Sequence, residues 1–402
     1  VYVWGGGKIT PQKVDFFTKE KSPIQVDCGE CHFAVLTVEK EVFTWANPQG
    51  GIDIVGQLGH GDTAGYKTPR LIQGLSGIHI KQISCGKDFT LCLSNEGKVY
   101  GFGSDYNGCM GRGYEGDDVL SPTLIEYFND TPVAEVSCGD SHCVILTTEG
   151  HVYTWGCGEF GMLGLGSEDD YNTPQKVSIP GKHLIKHVYA GSDGTFLLAS
   201  NGRLLATGSN ENNKLGFNSQ TSGLRKRKKK VYDIPCKCSF STVKPLSRNH
   251  IISVATGPSH SACIDNFGFL YTFGSNKYGQ LGLGDYKKRS TLYRVGGVLA
   301  GRRVEKVSCG DGFTVAATDD NQIYSWGHGE NGKLGAIFKE HGQKSSVKCT
   351  ALPRPIFGSL HVVPCLSSYH WNNIIIAEKV LNQKTLKPRV SSPKCKFMSN
   401  IQ

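Results

Sequence analysis

The chain reads as all-β: a seven-bladed propeller of four-stranded blades, closed by pairing of its N- and C-terminal strands. Three observations predict this. A small residue and an aromatic slot recur at one fixed spacing, a turn signal divides each interval, and the two ends carry complementary half-hairpins. The pairs are Cys28/Trp45, Cys85/Phe102, Cys138/Trp155, Ala190/Thr207, Thr256/Phe273 and Cys309/Trp326, each separated by 17 residues. The stretch from an aromatic slot to the next small residue instead runs from 24 residues (Trp4 to Cys28) to 49 (Thr207 to Thr256). Rigid units on elastic connections are the mark of a repeat architecture.

Each element follows from local chemistry. Inside the interval stand an apolar run, a turn and an apolar-aromatic run, as in Cys143-Val-Ile-Leu-Thr, Thr148-Glu-Gly-His and Val152-Tyr-Thr-Trp-Gly. Two short β-rich runs about a glycine-bearing turn predict a hairpin. Twelve residues after each small residue come Lys40, Gly97, Gly150, Gly202, Gly268 and Asn321. Gly and Asn tolerate positive φ, so a left-handed turn is expected there, with Lys40 the exception.

After most hairpins comes a glycine segment such as Gly279-Gln-Leu-Gly-Leu-Gly-Asp, then often a Thr-Pro or Ser-Pro and a further Val/Ile-rich strand. Each repeat therefore supplies four strands. At the ends, Trp4 has no small residue 17 positions before it, and the slot near Ser368 leads into Ile374-Ile-Ile with no aromatic strand after it. Pairing Val1–Trp4 with Ile374–Ala377 completes a seventh blade and removes two exposed edges. The expected domains are a propeller over 1–380 and a flexible basic Ser/Pro-containing tail over 381–402.

Composition fits this reading. Charged residues make up 20% of the chain and there are 51 glycines, as suits a turn-rich folded protein. No uninterrupted apolar run reaches a membrane-spanning length and the start lacks a secretory layout, so a cytoplasmic protein without a membrane partner is expected. Fifteen cysteines is an odd number, and four of them share a slot with Ala190, Thr256 and Ser368. That slot selects small size, so reduced thiols are expected. Cys28/Cys31 and Cys236/Cys238 each fall short of a four-ligand zinc set, so neither metal nor cofactor is expected.

The net charge of +9 comes from 44 basic and 35 acidic side chains, and the run Arg225, Lys226, Arg227, Lys228, Lys229, Lys230 supplies six of the former. The remaining body is near neutral, so nucleic acid is not an expected partner. The run itself is a candidate partner-binding segment or nuclear address, weighed against a plain solvated loop. Ser392, before Pro393, is a candidate phosphorylation site.

Two glycine patterns, Gly156-Cys-Gly-Glu-Phe-Gly161 and Gly327-His-Gly-Glu-Asn-Gly332, superficially suit a phosphate loop. Sister repeats hold Gly103-Ser-Asp-Tyr-Asn-Gly108 at the same place, which makes them repeat turns. His32, His142 and His260 share a slot with Phe89, Gly194 and Phe313. Packing or one hydrogen bond near the inner edge of the ring is their expected role.

The Cys-Gly-x-x-His hairpin, the Val-Tyr-x-Trp-Gly strand and the Gly-Gln-Leu-Gly-x-Gly segment resemble the regulator of chromosome condensation repeat family over residues 1–380. Val1-Tyr-Val-Trp-Gly-Gly-Gly-Lys, Gly103-Ser-Asp-Tyr, Ala317-Thr-Asp-Asp-Asn and Pro353-Arg-Pro-Ile-Phe-Gly-Ser-Leu-His are similar to the propeller that follows the catalytic domain in NIMA-related protein kinases. The first repeat lacks the glycine segment, which accounts for its short connection. The resemblance implies a non-catalytic regulatory propeller that restrains a cis kinase domain and docks protein partners, related kinases among them, in mitotic, centrosomal or ciliary signalling. No strand lysine, His-Arg-Asp loop or Asp-Phe-Gly site of a kinase is present in these residues. The alternative it implies is exchange on, or binding to, a Ran-type small GTPase through a protruding wedge and acidic side chains. Asp105 to Asp118 is the nearest candidate for that loop, with Asp140 beside it. A chromatin-binding or ubiquitin-ligase propeller is a third reading, and the near-neutral body argues against the first of these.

Overall fold

The computed structural model describes residues 1–47, 53–220, 231–338 and 348–380. They form seven four-stranded antiparallel sheets and one two-stranded ribbon. Blades are numbered here in chain order, from the sheet that begins at Pro23. The basic run 225–230, Ser392 and the tail 381–402 lie outside the described residues.

Blade three shows how one repeat is built. Val133–Cys138, His142–Thr147, Val152–Gly156 and Tyr171–Lys176 follow one another outward. The register sets Cys138 opposite Cys143 and Cys143 opposite Trp155. The second strand is buried along its whole length in blades one to six, because neighbouring sheets cover both its faces. The turn position twelve residues after the small anchor is left-handed in all six copies, with φ from 64° to 87°. Lys40, expected to differ, has φ 64° like the rest. The hairpin geometry therefore overrides its side-chain preference.

Blade seven joins the ends. His361–Tyr369 and Asn372–Lys379 pair with each other, then with Tyr2–Gly5 and Lys8–Lys13. Tyr2 lies opposite Ile375, Val3 opposite Ile374 and Trp4 opposite Asn373. This is the closure that the sequence predicts. A ribbon of Ser219–Gln220 with Val231–Tyr232, which no sequence signal announces, brackets residues 221–230. The outer strand of blade four, Cys236–Thr242, follows it.

Adjacent blades are locked by a repeated polar contact. The residue after the left-handed glycine that opens each segment, or after Asn213 in its place, turns its carbonyl toward the next blade. Thr90 donates to the Gln57 carbonyl at 3.0 Å, Thr195 to that of Met162 at 2.7 Å and Thr314 to that of Gln280 at 2.8 Å. Ser261 and Asn373 make the matching bonds to Lys214 and Lys333. The aromatic slot reaches the same carbonyls: the indole of Trp155 donates to Cys109, that of Trp326 to Gln280 and that of Trp4 to Lys333. The following glycine leaves room for the ring. A Cβ at Gly282 would sit 2.7 Å from the Trp326 indole nitrogen, and one at Gly335 2.9 Å from that of Trp4. Blade one follows no such segment, and Trp45 packs on Phe17 and Phe33 instead.

The histidine slot adds a second lock. His32, His142 and His260 are fully buried, and each Nε2 lies 2.8–2.9 Å from the threonine hydroxyl of the next blade. Those hydroxyls already donate to backbone carbonyls, so Nε2 must carry the proton and donate. Nδ1 is then a bare acceptor, and it has no partner in any of the three. A second ring proton would be buried without an acceptor. Burial accordingly pushes the pKa of His32 down to about 3 and those of His142 and His260 down to about 4.

Two outcomes are expected. Trp4→Ala should lower unfolding stability by about 3–5 kcal/mol in urea titration, the range for truncating a buried aromatic; a loss under 1 kcal/mol would show that closure does not depend on that ring. For the histidines, the unfolded chain binds protons below about pH 6.5 while the folded one does not until about pH 4, so acidification through that window removes stability. His142→Phe, the residue found in the same slot of blades two and six, should abolish about 3 kcal/mol of the loss between pH 7 and pH 4. Parallel stability curves for variant and parent across that window would refute the neutral-histidine lock.

Candidate functional site

Seven inner strands converge on the axis, and their anchors set the width of the channel between them. Cys28, Cys85, Cys138 and Cys309 are buried, and burial pushes the thiols of Cys28, Cys85 and Cys309 well up. They pack as small apolar groups, and the fourteen described cysteines are all free. Neighbouring inner strands are joined by side chains. Gln25 bonds both the amide and the carbonyl of Ile83 at 2.9 Å, and Gln82 does the same for Val136 at 2.9 and 3.0 Å. Asp27, its carboxyl pushed up by burial, accepts from the Cys28 and Cys85 amides and from Ser367. The channel wall is thereby saturated with internal bonds.

Charge collects instead in the loops just beyond most anchors, where it is partly paired: His370 lies 3.8 Å from Glu30 and 3.5 Å from Asp311, and Lys333 lies 3.8 Å from Asp311. The two positions after the recurring small-Gly corner hold Glu30, Asp88, Asp140, Asp193 and Asp311, with Lys87 and His370 among them. A cavity of about 380 Å³ occupies the channel. It adjoins a second, of about 510 Å³, that shares Lys87, Asp140 and Ser192 with it and is lined further by Asp53, Asp88, Glu159 and Asp193. Lys87 lies 3.7 Å from Glu30, and the buried Lys214 lies 2.6 Å from Asp193. Acidic charge still exceeds basic at this mouth. Burial, then the neighbouring Glu30 carboxylate, pushes Asp88 up to about 6. Asp140 is likewise pushed up, chiefly by burial, and accepts the hydroxyl of Tyr369 from blade seven. Two of the three aromatic side chains lining the second cavity are exposed, Tyr106 at 66% and Phe160 at 39%.

Phe160 stands apart. It holds φ 59°, a left-handed conformation that Asn107, Asn212 and Asn331 occupy at the corresponding place in sister repeats. An aromatic residue there costs roughly 1–2 kcal/mol relative to right-handed backbone. A strained, solvent-facing ring beside uncompensated carboxylates fits a contact surface better than a packing element. Its own segment and the one at Gly327 lead into single 3-10 turns, Glu159–Gly161 and Glu330–Gly332. The turn reading of both glycine patterns stands.

The three acidic candidates from sequence separate in space. Asp140 lies at the mouth. Asp118 is exposed on the connection before Val119–Leu124. Asp105 is 1% exposed, pairs with Arg112 at 2.5 Å and accepts the amides of Met110 and Gly116. Asn210 and Asn276 bond the amides of Leu215 and Leu281 in the same five-residue relation. Asp105 is therefore an internal tie of the glycine segment, corrected from a partner-contact candidate by its burial. Sequence reading missed Glu30, Asp53, Asp88, Asp193, Glu159 and Phe160. Aligning the columns two and three places after the anchor would have exposed the first acidic cluster.

A closed ring of seven four-stranded sheets is a seven-bladed β-propeller. The chain belongs to the RCC1-like domain family, whose model matches residues 2–365. It is 52% identical over 392 residues to the serine/threonine-protein kinase Nek9 of Mus musculus, covering 97% of this chain and 40% of that one. It is 34% identical to Nek8 of Danio rerio over 78% of this chain and 44% of that one. The chain thus spans about two fifths of the length of the Nek9 relatives. The structure of Prp20p from Saccharomyces cerevisiae superimposes with a TM-score of 0.72 at 19% identity, over 96% of this chain and 92% of that one, and shares its fold.

Phe160→Asn should stay within about 1 kcal/mol of the parent in urea unfolding, since relief of backbone strain offsets the lost burial. A loss above about 2 kcal/mol would make the ring a packing residue instead.

Proposed function

We propose that this propeller is the regulatory and docking region of a NIMA-related serine/threonine protein kinase. On this reading it restrains the catalytic domain in cis and presents its acidic mouth to basic protein partners in centrosomal or ciliary signalling. The observation that carries the reading is the 52% identity with mouse Nek9 across 97% of the chain. Near-neutral composition outside 225–230 and the carboxylates around Asp88 and Asp140 favour a lysine- or arginine-bearing protein surface over nucleic acid.

A second reading, action on a Ran-type small GTPase, is favoured by the position of Asp140 at the mouth and of Phe160 beside it. Binding to Gsp1p and to histones is a property of Prp20p, which shares the fold at 19% identity. Exchange needs a group that displaces nucleotide, and the 105–118 loop is anchored at its base by Asp105 and Arg112 while Glu115, Asp117 and Asp118 on it are exposed.

One experiment weighs both. In the full-length kinase, Asp53→Lys with Asp88→Lys should raise kinase activity several-fold, as should deletion of the propeller, while nucleotide release from purified Ran stays at its spontaneous rate. Unchanged or reduced kinase activity would defeat restraint through the mouth. A large acceleration of nucleotide release by the parent protein would install the GTPase reading in its place.

A further inference from the structure

The pair Cys236-Lys-Cys238 lies at the start of the outer strand of blade four. Side chains alternate along a strand, so residues two apart project to one face. Lys237, between them, pairs with Gly208, and Cys236 pairs with Ser209. The glycine segment of blade three is laid against this strand. The Gly166 amide donates to the Cys238 carbonyl at 2.8 Å and Leu165 bridges Ser239. The approach is close enough that a Cβ at Gly161 would lie 2.3 Å from the Cys238 Cα and 2.7 Å from its sulfur. This contact carries Glu168 to the two thiols. The Glu168 carboxylate oxygen and the sulfurs of Cys236 and Cys238 lie within 4.8 Å of one another, with both cysteines half-buried and Glu168 exposed.

We propose that Glu168, Cys236 and Cys238 form a three-ligand Zn2+ site that staples blade three to blade four, with water completing the tetrahedron. Two thiolates and one carboxylate are donors that zinc accepts, and three protein ligands with water in the fourth position is the coordination of catalytic zinc sites. Ligand sulfurs on tetrahedral zinc sit about 3.8 Å apart, given a Zn–S bond of about 2.3 Å. The sulfurs therefore need to close by no more than about 1 Å, a shift within reach of side-chain rotation. Binding expels two thiol protons to solvent as one dication enters, so the net charge of the site stays at minus one. The sequence alone shows only two ligands, and the strand contact supplies the third. The staple also fixes the chain just after Val231–Tyr232, where the connection containing 225–230 returns to the ring.

Metal-stripped protein titrated with Co2+ should bind one equivalent, showing a sulfur-to-cobalt charge-transfer band in the near ultraviolet and the intense visible bands of tetrahedral cobalt. One equivalent of Zn2+ should displace it. Cys236→Ser with Cys238→Ser should remove the charge-transfer band, and Glu168→Gln should keep it while weakening affinity at least tenfold, with circular dichroism reporting an unchanged fold. Independently of any variant, Zn2+ should protect Cys236 and Cys238 of the parent from alkylation, read by peptide mass spectrometry. A charge-transfer band of full strength in the double cysteine variant, weak octahedral spectra in the parent, or alkylation of both thiols unaffected by Zn2+ would each overturn the proposal.

Discussion

Closure of the ring through Tyr2, Val3 and Trp4 on Ile375, Ile374 and Asn373 is the constraint on which everything else rests. Without it blade seven would be a two-stranded hairpin, and such a hairpin is marginal in water. Blade one would lose its neighbour as well: Asp27 bonds Ser367, Cys28 approaches the same hydroxyl, and Asn372 bonds the carbonyls of Gly29 and Glu30. These links join residues more than 300 positions apart. Their loop-closure cost is met once, when the ends meet, and each later contact adds to a geometry already fixed.

Between blades the same few atoms recur. A backbone carbonyl in the glycine segment takes a donor from the second strand of the next blade, and at Cys109, Gln280 and Lys333 an indole from its aromatic strand as well. Where that donor is a threonine hydroxyl, a buried neutral histidine fixes it from the other side. This explains why the anchor corner needs glycine: a Cβ at Gly29 or Gly139 would lie within 2.7 Å of the histidine Nδ1. The ring tolerates a left-handed Phe160 for the same reason, because the flanking turns are over-determined by their own bonds.

The candidate site is what remains once those bonds are counted. Carboxylates in the wall, such as Asp27, are satisfied internally, and so is Asp105 on the blade edge. Glu30, Asp53, Asp88, Asp140 and Glu159 crowd one mouth with too few cations, and burial first, then the Glu30 carboxylate, raises the pKa of Asp88. Asp140 was legible in the sequence, yet its partners were not. They come from different blades at unequal spacing, so no linear pattern places them together.

What the sequence alone determined was periodic. The 17-residue interval, the left-handed turn twelve residues past each anchor and the complementary ends fixed blade number, strand order and closure, because period and turn chemistry are local properties of the chain. What only the tertiary structure decided was which side chains remain free to act. It turned Asp105 inward, gathered the acidic mouth from the loops of several blades and brought Glu168 to Cys236 and Cys238. Those outcomes depend on how neighbouring blades lie against one another, and contacts between distant segments leave no spacing along a single chain from which to read them.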